Sequence, residues 1–248
     1  MKYIKSELFK NKRRGFWLTV MGLFLFSLVW CAVATNMQLR NDHSQISAVM
    51  IFNFMTIDNL IFPFLMALLG IRLVQPEREY KMISVLELSG ESLWKLFLAK
   101  LNLILIVILA GTTLQAVMIW LFTIMSYGNV VDLPLLIKFC ISVLGSGYVI
   151  GVIQLSISFY IKKTTIPLCI GLGGSFLSLI TSGFLPRMVT IFIPWQYVSV
   201  VNPLVLKNGS LVYYDSWIIF FIVVMMVGIL MLMTTSYLLK NKGEVITS

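Results

Sequence analysis

The chain has 248 residues, of which 59% are hydrophobic and 12% are charged, with a formal net charge of +9 at pH 7. A soluble domain carries about 25% charged residues, so a chain this apolar fits lipid rather than water as its solvent. Its basic residues lie beside apolar runs, which favours the anionic face of a membrane and excludes nucleic acid as the expected partner. Composition therefore predicts an integral membrane protein in contact with membrane lipids.

Six apolar runs predict an all-α transmembrane domain that occupies the whole chain, residues 1–248. About 20 helical residues cross the hydrocarbon core, because each adds about 1.5 Å. The runs lack the alternation that a β-barrel requires. In chain order, the predicted spans cover residues 16–35, 49–74, 101–127, 133–161, 165–184 and 217–239.

The first run has two interpretations. Basic residues, an apolar stretch and Ala32-Val33-Ala34 resemble a secretory signal with a small-residue cleavage site. The run is, however, longer than the apolar part of a usual signal, and its removal would leave an odd number of spans. An uncleaved membrane anchor is therefore favoured.

The distribution of lysine and arginine predicts the orientation, because these residues collect in cytoplasmic loops. Of the 19 in the chain, 15 lie before the first span, between the second and third, after the fourth or after the sixth. The four on the other side are Arg40, Lys138, Arg187 and Lys207. Both termini are therefore predicted to lie in the cytoplasm, with the spans in the plasma membrane.

Two segments outside the spans have distinct compositions. Residues 1–15 combine lysines with an apolar face and predict a cytoplasmic interfacial helix, with a disordered basic tail as the alternative. Residues 184–216 form an apolar outer segment that contains Trp195 and Tyr197. Aromatic side chains are favoured among lipid headgroups, so this segment is predicted to be partly re-entrant or interfacial.

Residues 75–100 form the longest predicted cytoplasmic loop. Pro76 can begin a helix there, with Glu77 and Glu79 in a first turn where negative charge complements the helix dipole. Ser89-Gly90 then separates two helical pieces. A polar stripe recurs at helical spacing and consists of Ser84, Glu87, Glu91 and Lys95. The pattern fits an elbow that meets a soluble partner and an ordinary interfacial loop equally well.

Sequence motifs for catalysis are missing. The chain contains no GxxxxGK[ST], GxSxG or HExxH, and its only histidine is His43. Cys31, Cys140 and Cys169 each lie in an apolar run and are expected to be buried thiols. No catalytic residue, metal ligand or directly bound cofactor is therefore expected.

Within the spans, one acid and four glycines stand out. Asp58 is the only ionisable residue well inside an apolar stretch, and it would lie about 21 Å from Arg72 along a helix, in the outer part of the membrane. Two roles stay open for it, the lining of a transport path and a solvated helix end. The glycines predicted to allow close helix packing are Gly147, Gly151, Gly171 and Gly174.

Several segments together resemble one family over the whole chain. The matching segments are Ser6-Glu7-Leu8, Glu77–Lys81, Leu86–Gly90, Lys95 with Lys100, and Ile193-Pro194-Trp195. They are similar to the interfacial helix, the acidic cluster, the coupling helix, the basic residues that open span three and the outer segment of ABC-2 type exporter permeases. With its six-span layout, the chain most resembles the small permeases of lantibiotic self-immunity and peptide resistance.

The resemblance implies a permease subunit that expels a substrate outward, such as an antimicrobial peptide. Two copies of a separate ABC ATPase would bind ATP and Mg²⁺, and a second permease, identical or paralogous, would complete the path. The ATPase-coupling residues that it implies are Glu79, Ser84, Leu86, Glu87, Ser89, Gly90, Glu91 and Lys95. Asp58, Trp195 and Tyr197 are the candidates for the substrate path. The alternatives are a non-transport scaffold or peptide sensor that signals to a partner protein, and a permease for a lipid or drug.

Overall fold

The computed structural model describes residues 16–38, 45–79, 92–127, 130–207 and 210–241. Within these ranges the chain is mainly helical. The helices are α1 Phe16–Gln38, α2 Ile46–Glu79, α3 Leu93–Tyr127, α4 Leu133–Tyr160, α5 Thr165–Thr181, α6 Arg187–Thr190, α7 Tyr197–Val200 and α8 Trp217–Asn241. A 3-10 turn at Pro194–Gln196 precedes α7, and the strands β1 Leu204–Lys207 and β2 Ser210–Tyr213 precede α8.

Five of the described helices are long and apolar enough to cross a membrane, namely α1, α2, α3, α4 and α8. The protein is therefore multi-pass, and helical as predicted. α5 is apolar but has only 17 residues, which extend about 26 Å. The predicted fifth span ran to residue 184, but the helix ends at Thr181. The chain then turns through Gly183, whose φ of 101° favours glycine.

α2 is longer than the predicted second span. It is continuous from Ile46 to Glu79, whereas the prediction covered residues 49–74. Pro76 was expected to begin a separate helix, and Glu77 was expected to complement the dipole of that helix. Both predictions are wrong, because Pro76 and Glu77 lie in the last turns of α2, where Glu77 is buried.

α3 begins at Leu93 rather than at residue 101. The loop predicted at residues 75–100 includes Leu96 and Phe97, but both are buried inside the bundle and extend α3. The connection between α2 and α3 is therefore residues 80–92, shorter than the predicted 75–100.

α2 is the central helix of the bundle. It packs against α1, α3, α4, α5 and α7. The most apolar part of α2 is 72% buried, compared with 28% for α1 and 22% for α8. α1 and α8 therefore present most of their apolar surface outward, as helices in contact with lipid do.

Between α5 and α8 the mainly helical chain contains two short strands that the prediction did not include. β1 and β2 form an antiparallel hairpin, in which Leu204 pairs with Tyr213 and Lys207 with Ser210. The sequence contains a signal for this hairpin, because Asn208-Gly209 lies between two short apolar segments and Asn-Gly strongly favours tight hairpin turns. Asn208-Gly209 itself lies outside the described residues.

Contacts of α4 define the two ends of the bundle. At its start, the side chain of Asp132 caps the helix and also accepts a hydrogen bond of 2.6 Å from the hydroxyl of Tyr213 in β2. At its end, Ile161 receives a hydrogen bond from Arg78 of α2. We call these the hairpin end and the α2–α3 end.

The two glycines of α4 predicted to allow close packing both face α3. A Cβ atom on Gly147 would lie 3.3 Å from Ile108, and one on Gly151 would lie 2.9 Å from Ile104. Distances this short leave little or no room for a side chain, so the absence of Cβ atoms matters where these two helices meet.

Replacing Gly171 with alanine is expected to loosen α5 from α2. The new Cβ would lie 2.2 Å from the Cβ of Ala67 and 3.0 Å from the carbonyl oxygen of Pro63, so the helices must separate. Overpacking of this kind costs about 1–3 kcal/mol. Gly173→Ala is the matched control, because no atom lies within 4 Å of its Cβ position. Thermal unfolding in detergent should show a loss of stability for the first variant alone, and equal stabilities would contradict the packing.

Candidate functional site

A buried ion pair joins α2 and α3 beside the loop that connects them. Glu77 Oε1 lies 2.8 Å from Lys100 Nζ, and the two side chains are only 4% and 1% exposed. Lys100 Nζ also donates a hydrogen bond of 2.6 Å to the carbonyl oxygen of Leu73. Lys100 had been assigned to the cytoplasmic loop, but it lies inside α3. The pair fixes how α2 and α3 lie against each other on both sides of the loop.

Arg78, the next residue of α2, connects this pair to α4. Its guanidinium donates to the carbonyl oxygens of Phe159 and Ile161 at the C-terminal end of α4. Carbonyl groups there have no helical N–H partner, and positive charge complements the helix dipole. α2, α3 and α4 are thus joined at the α2–α3 end.

The predicted coupling residues flank this joined end or lie outside the described residues. Glu79 is the last residue of α2, and Lys95 is exposed on the first turn of α3. The coupling residues outside the described ranges are Ser84, Leu86, Glu87, Ser89, Gly90 and Glu91. Lys95 is therefore the one coupling candidate whose side chain is placed.

Asp58 lies inside the bundle, where α1, α2 and α3 meet. It is 1% exposed, so it is not a solvated helix end. Gln115 Nε2 donates to both carboxylate oxygens at 2.9 Å, and Ser27 Oγ donates at 3.2 Å. Among the described residues, the hydrogen-bond partners of Asp58 are therefore neutral. The Asp58 side chain links α2 to α1 through Ser27 and to α3 through Gln115.

Replacing Asp58 with asparagine is expected to change stability by less than about 1 kcal/mol, whereas leucine should cost about 1–3 kcal/mol. An asparagine amide can donate to Gln115 Oε1, which has no hydrogen-bond partner among the described residues. Leucine leaves the Gln115 amide buried without its acceptor. Thermal unfolding of the two variants in detergent measures the difference. If asparagine destabilises as much as leucine, the cluster depends on the acid itself rather than on hydrogen bonding.

Two cavities lie at the hairpin end. The first, of about 560 Å³, lies between α2, the segment after α5 and β1. The second, of about 480 Å³, lies between α6, the hairpin and the start of α8. Arg187 lines both, and Lys207 lines the second. No aspartate or glutamate of the described chain lines either cavity, so both are electropositive.

The predicted substrate-path residues do not line these cavities. Trp195 packs against α5, where a Cβ on Gly174 would lie 2.4 Å from the indole ring. Tyr197 is buried at the start of α7, and Asp58 faces α1 and α3. The three residues therefore contact neighbouring helices rather than either cavity.

Residues 3–178, which form well over half of the chain, match a family model described as ABC-2 family transporter protein. The chain belongs to the ABC-2 family of transporter proteins. A comparison with curated proteins found no match. The family places this ABC-2 permease in a transporter as a transmembrane component that is not itself catalytic. The resemblance to ABC-2 permeases is thus confirmed, and the likeness to lantibiotic-immunity permeases stays a prediction.

Sequence reasoning missed the partners of the permease's buried polar residues. Ser27 and Gln115 could have been noticed, because polar residues in apolar runs often mark helix contacts. The pairing of Glu77 with Lys100 was hidden by the assignment of both residues to a loop. Arg187 was counted only as a basic residue outside the spans, and no local pattern indicated a cavity beside it.

Proposed function

We propose that this ABC-2 permease is the transmembrane subunit of an ABC exporter that expels an amphipathic antimicrobial peptide, such as a lantibiotic. Two copies of a separate ABC ATPase supply the energy of ATP hydrolysis with Mg²⁺. A second permease, identical or paralogous, completes the path. The observation that carries the proposal is the family match over residues 3–178.

In the proposed topology, the chain crosses the plasma membrane six times and both termini lie in the cytoplasm. α5 is the additional crossing, and a locally thinner bilayer can accommodate its length of about 26 Å. The α2–α3 end faces the cytoplasm and the hairpin end faces outside. Reporter fusions after Asn129 and Lys163 should report the outside and the cytoplasm respectively, and reversed reports would overturn this topology.

The proposed coupling runs from the ATPase into three helices at once. Closure of the ATPase dimer displaces the loop at residues 80–92 together with Lys95. Because Glu77 pairs with Lys100 and Arg78 binds the end of α4, this displacement moves α2, α3 and α4 together. Several helices that tilt together can open a path at the hairpin end.

A contact of Asn59 supports a re-entrant outer segment. Asn59 lies about 20 Å from the start of α2. Its side-chain oxygen accepts a hydrogen bond of 3.2 Å from the N–H of Ser199, which belongs to that segment. The segment thus lies along α2 rather than across its end, where a substrate in the outer leaflet can reach it. In this proposal, Trp195 and Tyr197 shape the path by holding the segment in place.

Survival of cells in the presence of a lantibiotic tests the peptide substrate. Cells that express the permease and its ATPase should tolerate higher lantibiotic concentrations than cells with an ATPase that cannot hydrolyse ATP. Tolerance that rises only for a different amphiphile would contradict the peptide assignment but not export. Tolerance that never depends on ATP hydrolysis would contradict export.

A further inference from the structure

The guanidinium of Arg187 lies partly buried at the hairpin end with its hydrogen-bonding capacity incompletely used. Nη2 donates a hydrogen bond of 3.3 Å to the carbonyl oxygen of Leu204, and Cζ lies 3.9 Å from the centroid of the Tyr214 ring. Nη1 is buried and has no hydrogen-bond partner in the described chain. Burial lowers the pKa of this guanidinium to about 10, so it remains a cation at pH 7.

Neither acid of the described segments at this end, Asp132 or Asp215, forms an ion pair with Arg187. Asp132 Oδ2 accepts the hydrogen bond from Tyr213, and Oδ1 accepts one of 3.1 Å from the N–H of Leu135. Together with the absence of acids from the described lining of both cavities, this leaves Arg187 without an ion pair in the described chain. A partly buried cation in such a place is stabilised by an anion from outside the chain.

Two more hydrogen-bond donors line the first cavity. The side-chain oxygen of Asn59 accepts from Ser199, and that of Asn202 accepts a hydrogen bond of 2.9 Å from the N–H of Leu204. These bonds orient both amides. Each amide nitrogen, which can only donate, has no hydrogen-bond acceptor among the described residues. One cavity wall therefore combines a cation with amide donors and carries no carboxylate, a set that suits a phosphate group.

The surroundings of Arg187 favour an amphiphile over a free ion. Phe184, Met188 and Phe192 are 86%, 74% and 83% exposed, and all lie within a few residues of Arg187 in the chain. Exposed apolar side chains beside basic residues are typical of surfaces that contact acyl chains and headgroups together. These apolar residues can contact the acyl chains of a phospholipid, whereas free phosphate has no apolar part for them to contact.

We propose that the first cavity binds the phosphate group of an anionic phospholipid through Arg187, Asn59 and Asn202. The acyl chains lie against the exposed apolar residues 184–192. A bound phosphodiester also offsets the positive charge of the cavity. The inference does not depend on the identity of the exported substrate.

Lipid titration of the purified permease in neutral detergent tests the site. Phosphatidylglycerol should bind about tenfold more tightly than phosphatidylcholine with the same acyl chains, because the choline group adds a second positive charge beside the Arg187 cation. Arg187→Gln should abolish this preference. Lys138→Gln is the matched control, because Lys138 is a cation of the same end that lies 5.9 Å from the Trp217 ring and lines neither cavity. Equal binding of the two lipids by the wild type, or loss of the preference in both variants, would overturn the proposal.

Two further measurements do not depend on how the variants fold. A photoactivatable phosphatidylglycerol should label the wild-type chain within residues 182–206, and labelling confined to other segments would contradict the site. Inorganic phosphate at the same concentration as the lipid should not displace it. Displacement by inorganic phosphate would show a site for the free anion and would overturn the assignment to a lipid.

Discussion

Replacing Lys100 with methionine is expected to lower the free energy of unfolding by about 3–5 kcal/mol, because the carboxylate of Glu77 is then buried without a compensating cation. The substitution takes the cation away from Glu77 and the donor away from the Leu73 carbonyl, both deep between α2 and α3. Thermal unfolding of the purified permease in detergent measures the loss.

Two comparison variants separate the ion pair from general effects of charge. Lys95→Met removes an exposed cation from the same helix and should leave stability nearly unchanged. The double substitution of Glu77 by leucine and Lys100 by methionine should regain most of the loss, since an apolar pair can replace a buried ion pair. A Lys100→Met variant as stable as Lys95→Met would show that the pair does not hold α2 and α3 together.

Reversing Glu87 and Glu91 to lysine is expected to detach the ATPase from the permease. Both acids belong to the predicted polar stripe of the connecting loop. If this stripe docks on the ATPase, the reversal places unpaired charges in a contact, at a cost of several kcal/mol. Membrane levels of the permease should stay normal, while co-purification of the ATPase and transport are lost.

The control for this reversal is Glu244→Lys, which changes an acid of the predicted cytoplasmic tail outside the loop. It should leave both the ATPase and transport in place. Retention of the ATPase by the double reversal would remove the loop from the docking contact. An ordinary interfacial loop would then be the better interpretation of its amphipathic pattern.

Local hydropathy predicted the membrane environment and the positions of most spans, and the resemblance of several segments indicated the family. Hydropathy failed where burial depends on distant partners. Apolar residues such as Leu96 and Phe97 recur at the same helical spacing on an interfacial helix and inside a bundle. The start of α3 was therefore placed too late in the chain. Proline is common at the first position of a helix, so Pro76 was expected to begin one. In the structure it lies in the last turns of α2, which continues to Glu79.

The polar contacts were the least predictable part of the site. Gln115 lies 57 residues from Asp58 in the chain, and Lys100 lies 23 residues from Glu77. A single sequence identifies such polar residues but not which of them meet. The cavities at the hairpin end depend in the same way on a turn and a hairpin that fold back onto α2.

The most direct test of an ATP-driven permease is transport in proteoliposomes that contain this chain and its purified ATPase. A fluorescent lantibiotic in the leaflet opposite the ATPase should be released from the membrane only when ATP and Mg²⁺ are present on the ATPase side. This release should stop when the permease carries both Glu87→Lys and Glu91→Lys. Release that is unchanged without ATP, or without the permease, would contradict the assignment of this chain as the transmembrane subunit of an ABC exporter.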